Sequence, residues 1–312
     1  MSVPVIWNAT AGQKARGPLP STDRPELERV LREAGVDGRI IPTESEADAR
    51  QAIAREVDAG ATLIVAAGGD GSVDVVAKEL LDKPVALGIL PLGSVMNIAR
   101  MLGVPRDLAA AAKLLVQPRE ALIDVGEANG EVYFEDASVG IQAAVFKHTS
   151  EWEKGDVGSV VRALRDAFRY RPVRMELHLD DGKVVQTRAL MVTVSNAPYA
   201  GIAMTVAPDA RLDDGQFDVV VWEHFSKLQL VRQLAAISFG RRNSSPHTSM
   251  YKSREVSITG DVPLPVRVDA VQLGTTPLQC RVRPGCLRVV VGPDFADGRV
   301  RQPAPSMGGA KA

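Results

Sequence analysis

Over residues 1–125, short apolar runs alternate with stretches of helical spacing. Val3–Trp7 and Arg39-Ile40-Ile41 read as strands, and Leu63-Ile64-Val65-Ala66-Ala67 and Val85–Leu90 read as buried ones. Between them, Pro25–Ala34 carries Leu27, Val30 and Leu31 on one helical face. Ala47–Val57 reads as a helix with acidic residues near its start, where the helix dipole favours them. Val73–Leu80, a segment leading to Met101, and Leu108–Val116 complete the helices. This order predicts an open parallel α/β sheet, with ligands bound at the C-terminal ends of its strands.

Beyond Ala121 the period changes to that of strands: Glu131–Phe134, Arg174–Leu179, Thr187–Ser195, Phe217–Trp222, Glu255–Thr259 and Leu287–Val291. Asp181-Gly182 is a hairpin turn between two of them. Helices are expected at Ser159–Tyr170 and Leu228–Phe239. The predicted fold class is α/β plus β: an open parallel α/β domain over residues 1–125, then a β-rich domain over 126–295 that is expected to be a β-sandwich. Residues 302–312, rich in Pro, Gly and Ala, are expected to be a disordered tail.

Composition narrows this picture. The net charge of −1 over 312 residues gives no reason to expect a nucleic-acid partner. The two cysteines, Cys280 and Cys286, have no cluster of further ligands around them and are expected to be reduced. No apolar run approaches the roughly 20 residues of a membrane span. The N-terminus leads straight into a strand, so a cytoplasmic location is expected.

Three loops of small residues follow strands of the first domain. Gly68-Gly69-Asp70-Gly71-Ser72 lies between a buried strand and a helix, where glycines let backbone amides approach phosphate oxygens and the helix start adds positive potential. Asp70 in its middle is placed to hold Mg2+ against those phosphates. Asn8-Ala9-Thr10-Ala11-Gly12-Gln13-Lys14 follows the first strand: Gly12 allows close backbone approach, and Lys14 or Arg16 can meet a phosphate. Leu90-Pro91-Leu92-Gly93-Ser94 offers the Ser94 hydroxyl either to a phosphate or as a helix cap. Each loop alone fits an ordinary turn; their convergence on one sheet edge points to a nucleoside triphosphate.

Together these segments resemble the diacylglycerol kinase catalytic family, which includes sphingosine and ceramide kinases and the bacterial soluble lipid kinases. The resemblance rests on Asn8–Gly12, Gly68–Ser72, Pro91–Ser94 with Ile98-Ala99-Arg100, Asn196–Gly201 and Ala207–Val219, the last containing Asp213-Asp214-Gly215. It implies two domains with ATP in the cleft and transfer of the γ-phosphoryl group to a hydroxyl of diacylglycerol or a related long-chain lipid. Gly68–Asp74, Ser94 and Thr43 would surround ATP. Arg211 and Gln216, through backbone carbonyls, and Asp214 would match a structural or regulatory Mg2+ site; a surface turn that needs no ion is the plainer reading of the same residues.

Four motifs depart from the family pattern. Its Asn-Glu pair is Asp74-Val75, its Asn and Asp after the third loop are Met96 and Asn97, an Asp is replaced by Gln142, and the Asp-Gly-Glu that supplies its base is Asp269-Ala270-Val271. Val271 cannot accept a proton, so Asp70, Asp74 and Asp269 are left to carry the chemistry, with Asp269 as the substitute base. The alternatives are a catalytically impaired nucleotide- or lipid-binding regulator, or a kinase of a soluble nucleotide or small molecule. Ser159–Tyr170 sets Val160, Val161, Leu164 and Phe168 beside Arg162, Arg165 and Arg169, a basic amphipathic helix suited to peripheral contact with the inner membrane face or to packing on a sheet. A homodimer is compatible with all of this.

Overall fold

The structure, a computed structural model, describes residues 2–8, 22–141, 170–200, 204–223, 225, 229 and 247–300. Except for Tyr170 and Gln229, the helices expected at Ser159–Tyr170 and Leu228–Phe239 lie outside the described residues, as do the tail, Gly12, Lys14 and Gln142. The chain divides into two compact units, Met1–Ala121 with Arg288–Ala312, and Leu122–Leu287.

The first unit runs β1 (Val3–Asn8), α1 (Arg24–Ala34), β2 (Gly38–Thr43), α2 (Glu46–Asp58), β3 (Leu63–Gly68), α3 (Asp70–Leu80), β4 (Ala86–Pro91), α4 (Asn97–Met101) and α5 (Leu108–Lys113). The strands are parallel in the order β2-β1-β3-β4. β4 is buried along its whole length and β3 along nearly all of it, so both appear as unbroken apolar runs rather than alternations. Side-chain caps fix the helix starts: Asp23 accepts from the Glu26 amide, Ser45 from Asp48 and Asp107 from Ala110. α1 stops at Gly35, whose φ of 83° lets its amide return to the carbonyls of Leu31 and Arg32.

The second unit is antiparallel. It contains β5 (Glu120–Ala128), β6 (Glu131–Tyr133), β7 (Asp136–Gly140), β8 (Val173–Leu179), β9 (Val184–Ser195), β10 (Tyr199–Ala200), β11 (Met204–Thr205), β12 (Phe217–Glu223), β13 (Thr248–Ser253), β14 (Glu255–Gly260), β15 (Pro265–Val268), β16 (Val271–Thr275) and β17 (Leu278–Val290). The main path is β16-β15-β7-β9-β8-β14-β17; β12 pairs with β9 and β13, and β5 pairs with β17 and β6. On β12, Val219 and Val221 join a core containing the stacked Tyr133 and Phe217 rings, while Val220 and Trp222 join a second core with Phe225. Burial on both faces explains why this strand carries so little polarity.

The sequence pattern extends the second domain to residue 295, whereas the chain returns to the first unit at Arg288. Arg288 and Val289, near the end of β17, pair in parallel with Ala86 and Leu87 of β4, adding a fifth strand to that sheet. The short pair β18 (Phe295–Ala296) and β19 (Arg299–Val300) follows.

β1 has β2 on one side and β3 on the other, so the chain reverses its direction of winding there. In open α/β sheets this switch point leaves a crevice beyond the strand ends. Asn8 ends β1 opposite Thr43 at the end of β2, and Gly68 ends β3 opposite Pro91 at the end of β4. The loops after β3 and β4 touch backbone to backbone: a Cβ on Gly93 would lie 2.7 Å from Gly69 Cα and 2.8 Å from Met96 Sδ. Gly71, by contrast, faces open space. Gly93→Ala is therefore expected to cost about 1–3 kcal/mol through overpacking. Gly71→Ala, within a helix, is expected to gain about 0.5–1 kcal/mol. Urea unfolding of the two variants followed by circular dichroism measures this contrast.

Candidate functional site

The glycine-rich segment is shorter as a loop than the sequence suggests. α3 begins at Asp70 rather than Val73, so Asp70, Gly71 and Ser72 form its first turn. Gly69 is the N-cap in extended conformation, and no side chain caps the helix. The Ser72 and Val73 amides donate to the Gly69 carbonyl. A Cβ on Gly68 would lie 2.5 Å from both Cβ and Oγ of Ser72, so only glycine fits this close approach. The Asn8 side-chain amide donates to Ser72 Oγ at 3.3 Å, linking the end of β1 to the turn. Thr43 is buried, and its hydroxyl donates to the Trp7 carbonyl at 3.3 Å.

Asp70 uses both carboxylate oxygens on the backbone of the next loop. Oδ2 accepts from the Met96 amide and Oδ1 from the Asn97 amide, each at 2.8 Å. Met96 is the N-cap of α4, with φ 56° and ψ 49°, and its own side chain supplies no cap bond. Asp70 thus does from a distance what a capping residue does locally, with charge-assisted bonds. Ser94, a candidate for that cap, is exposed instead. Its carbonyl accepts from Arg106 at 2.7 Å, and the same guanidinium takes the Val95 carbonyl at 2.9 Å and the Gly93 carbonyl at 3.3 Å. Arg106 escaped the sequence reading because no local pattern marks an arginine that clamps carbonyls more than ten residues upstream. Asp74 pairs with Lys78 one helical turn on, at 3.2 Å.

In the second unit, Asp269 occupies the turn between β15 and β16 in a left-handed conformation, φ 46°. Its carboxylate accepts from the amides of Phe134, Glu135 and Asp136 at 2.8, 3.0 and 3.1 Å. Its own amide donates to the Asp136 carbonyl at 2.9 Å. Burial outweighs the three amide bonds and, with the neighbouring Asp136 charge, pushes this carboxyl up to about 7. Val271 lies exposed on β16.

The Asp213-Asp214-Gly215 turn is held by protein groups. The Arg211 guanidinium donates to Asp213 Oδ1 at 2.9 and 3.1 Å. Asp214 Oδ1 accepts from the Gln216 amide at 3.2 Å, and Oδ2 accepts from Lys252 Nζ at 2.8 Å. The buried Asp124 receives the Gly215 amide at 2.6 Å and the Gly285 amide at 2.8 Å. Burial raises the Asp124 carboxyl despite these bonds. A divalent ion at Arg211, Asp214 and Gln216 would share Asp214 Oδ2 with an ammonium, so this donor set does not fit Mg2+. Among the described residues, no group of three or more His, Cys, Asp or Glu side chains is arranged to hold a metal. Asn196, noted in the sequence only as part of a motif, donates through its side-chain amide to the Asp124 and Phe134 carbonyls. Cys280 and Cys286 form no disulfide.

The raised Asp269 carboxyl has a thermodynamic consequence. Between its unfolded value near 4 and its folded value of about 7, the native state keeps a proton that the unfolded chain has released. Its contribution to stability therefore declines as pH rises through that window. Asp269→Asn cannot titrate and is expected to flatten the slope, which paired urea unfolding curves at about pH 5 and about pH 8 would reveal.

The model of the diacylglycerol kinase catalytic domain matches residues 2–128, and that of the YegS C-terminal NAD kinase beta sandwich-like domain matches residues 136–291. A diacylglycerol kinase of Staphylococcus saprophyticus is 26% identical over 278 residues, 88% of this chain and 90% of that protein. One from Staphylococcus aureus strain Newman is also 26% identical, covering 88% of this chain and 87% of its own. The crystal structure of a diacylglycerol kinase from Bacillus anthracis strain Sterne superposes with a TM-score of 0.71 at 22% identity, covering 94% of this chain and 97% of that one. With both halves matched in order and a parallel α/β unit joined to an antiparallel one, the chain belongs to the diacylglycerol kinase catalytic domain family and is a kinase.

Proposed function

We propose that the protein transfers the γ-phosphoryl group of ATP, accompanied by Mg2+, to a hydroxyl of diacylglycerol or a related long-chain lipid. The observation that carries this reading is the start of α3 at the switch point of the sheet. An eleven-residue helix without a side-chain cap has its Ser72 and Val73 amides turned back to Gly69 and offers the Asp70 and Gly71 amides to an anion. Gly71 faces open space where phosphate oxygens can approach, Gly68 lets Ser72 pack against the end of β3, Asn8 orients Ser72, and Thr43 and Ser94 border the same strand ends. Gly12 and Lys14, in the segment after β1, would extend this phosphate contact. Mg2+ bound with the nucleotide would neutralise phosphate charge.

The side chains divide the remaining work. Asp70 is the positioning group, since its carboxylate fixes the loop after β4 against the start of α3. Asp74 adds negative charge one turn into the helix, tempered by Lys78. Asp269 is the proton acceptor for the lipid hydroxyl: a carboxyl near 7 is matched to general-base work at neutral pH. The lipid half of the reading is supported by the name that the staphylococcal relatives carry. A long-chain acceptor resides in a bilayer, so the reading entails peripheral contact with the inner membrane face. Among the described residues, no helix is long and apolar enough to cross a membrane.

Incubation with γ-labelled ATP, Mg2+ and diacylglycerol in mixed micelles is expected to yield a labelled phospholipid, with no label entering NAD offered as a soluble acceptor. Asp269→Asn is expected to lower kcat by about 10²-fold or more while ATP binding persists. Asp70→Ala is expected to weaken ATP binding itself. ATP binding without label transfer to any lipid would sink the proposal.

A further inference from the structure

The turn that fails to fit a divalent ion already contains a cation. Lys252 on β13 stands directly opposite Asp218 on β12 in the strand register. Its Nζ lies 2.8 Å from Asp214 Oδ2 and 3.3 Å from Asp218 Oδ2. Asp218 is buried at 4% exposure, and Asp214 sits at the end of the turn leading into β12. One ammonium therefore ties a strand, its neighbour and the preceding turn together. The other groups of the turn are also satisfied from within the protein. Asp124 holds the Gly215 and Gly285 amides, the Asp124 amide donates to the Leu212 carbonyl at 2.6 Å, and Arg211 holds Asp213.

We propose that the Lys252 ammonium is the built-in cation of the Asp213-Asp214-Gly215 turn, standing in for a divalent ion, so that this part of the fold forms without magnesium. Three features carry the proposal. Mg2+ requires oxygen donors at about 2.0–2.1 Å in octahedral array and keeps several of its waters. An ammonium hydrogen-bonded to Asp214 Oδ2 occupies the approach such an ion would need and repels it. Lysine supplies three donors from a flexible stem, which suits two carboxylates at different distances. Finally, burial holds the Asp218 carboxyl above its usual range while Lys252 pulls it back down, so the amine favours the charged form of the acid it bonds to. The proposal concerns the turn alone and stands whichever hydroxyl accepts the phosphoryl group.

Thermal unfolding of the full-length, nucleotide-free protein in EDTA and in millimolar MgCl2 tests it. The wild type is expected to unfold at the same temperature in both. Lys252→Met, which keeps the stem and removes the charge, is expected to lose about 2–4 °C or more in EDTA and to regain part of the loss with Mg2+. A Lys252→Met protein that folds yet ignores Mg2+ would overturn the proposal. If that variant does not fold, Mn2+ titration of the wild type by electron paramagnetic resonance decides. Mn2+ binding that Asp214→Asn abolishes would place an ion at the turn and refute the proposal, whereas binding that is absent or unaffected by Asp214→Asn would uphold it.

Discussion

Two loops at the edge of the first sheet are held in register by one carboxylate. Asp70 spans from the first turn of α3 to the amides that open α4, and both contacts are charge-assisted. Around this clasp the backbones meet so closely that glycine at 68 and 93 is a steric requirement. Arg106 secures the other side of the second loop through its carbonyls. The proposed phosphate site at the start of α3 is therefore preformed, so that little ordering entropy would remain to be lost on binding.

The same device recurs elsewhere. Asp124 joins Gly215 to Gly285, and Asp269 gathers three successive amides from the segment after β6. In each case an aspartate uses both oxygens on the backbone of a segment distant in sequence. Aspartates in these motifs therefore have an architectural duty as well as any duty toward substrate. The distinction matters at Asp269, where three amides favour the charged form yet burial beside Asp136 prevails and the carboxyl titrates near neutrality.

The sequence made the parallel unit and the glycine-rich turns at its strand ends readable because apolar period, caps and glycines all agreed there. It was less informative where polarity conflicts with structure. β13, Thr248–Ser253, is mostly polar, with Ser249, Lys252 and Ser253 each bonded to a carboxylate of another segment, and so it has no apolar signature. β17 contains Pro284 and Gly285, which look like a break, so only its last residues read as a strand. Asp70 read as a metal-facing loop residue because spacing does not reveal which amides a carboxylate will meet. The family resemblance implied an ion at the Asp213-Asp214-Gly215 turn, and nothing in that segment announces the Lys252 amine that reaches it from far along the chain.

The path of β17 also affects the order in which the protein can mature. The first unit is assembled from the beginning of the chain and from a strand end that starts at Arg288. During synthesis β4 must wait, with one edge unpaired, until the whole antiparallel unit has been translated and its last strand arrives. An exposed strand edge invites pairing with other chains. A fragment cut at the apparent boundary near residue 121 would keep that edge permanently open, so simple truncation there leaves the first unit without its fifth strand. A circular permutant that carries residues 288–300 ahead of β1 would instead keep both of its segments in one stretch of chain.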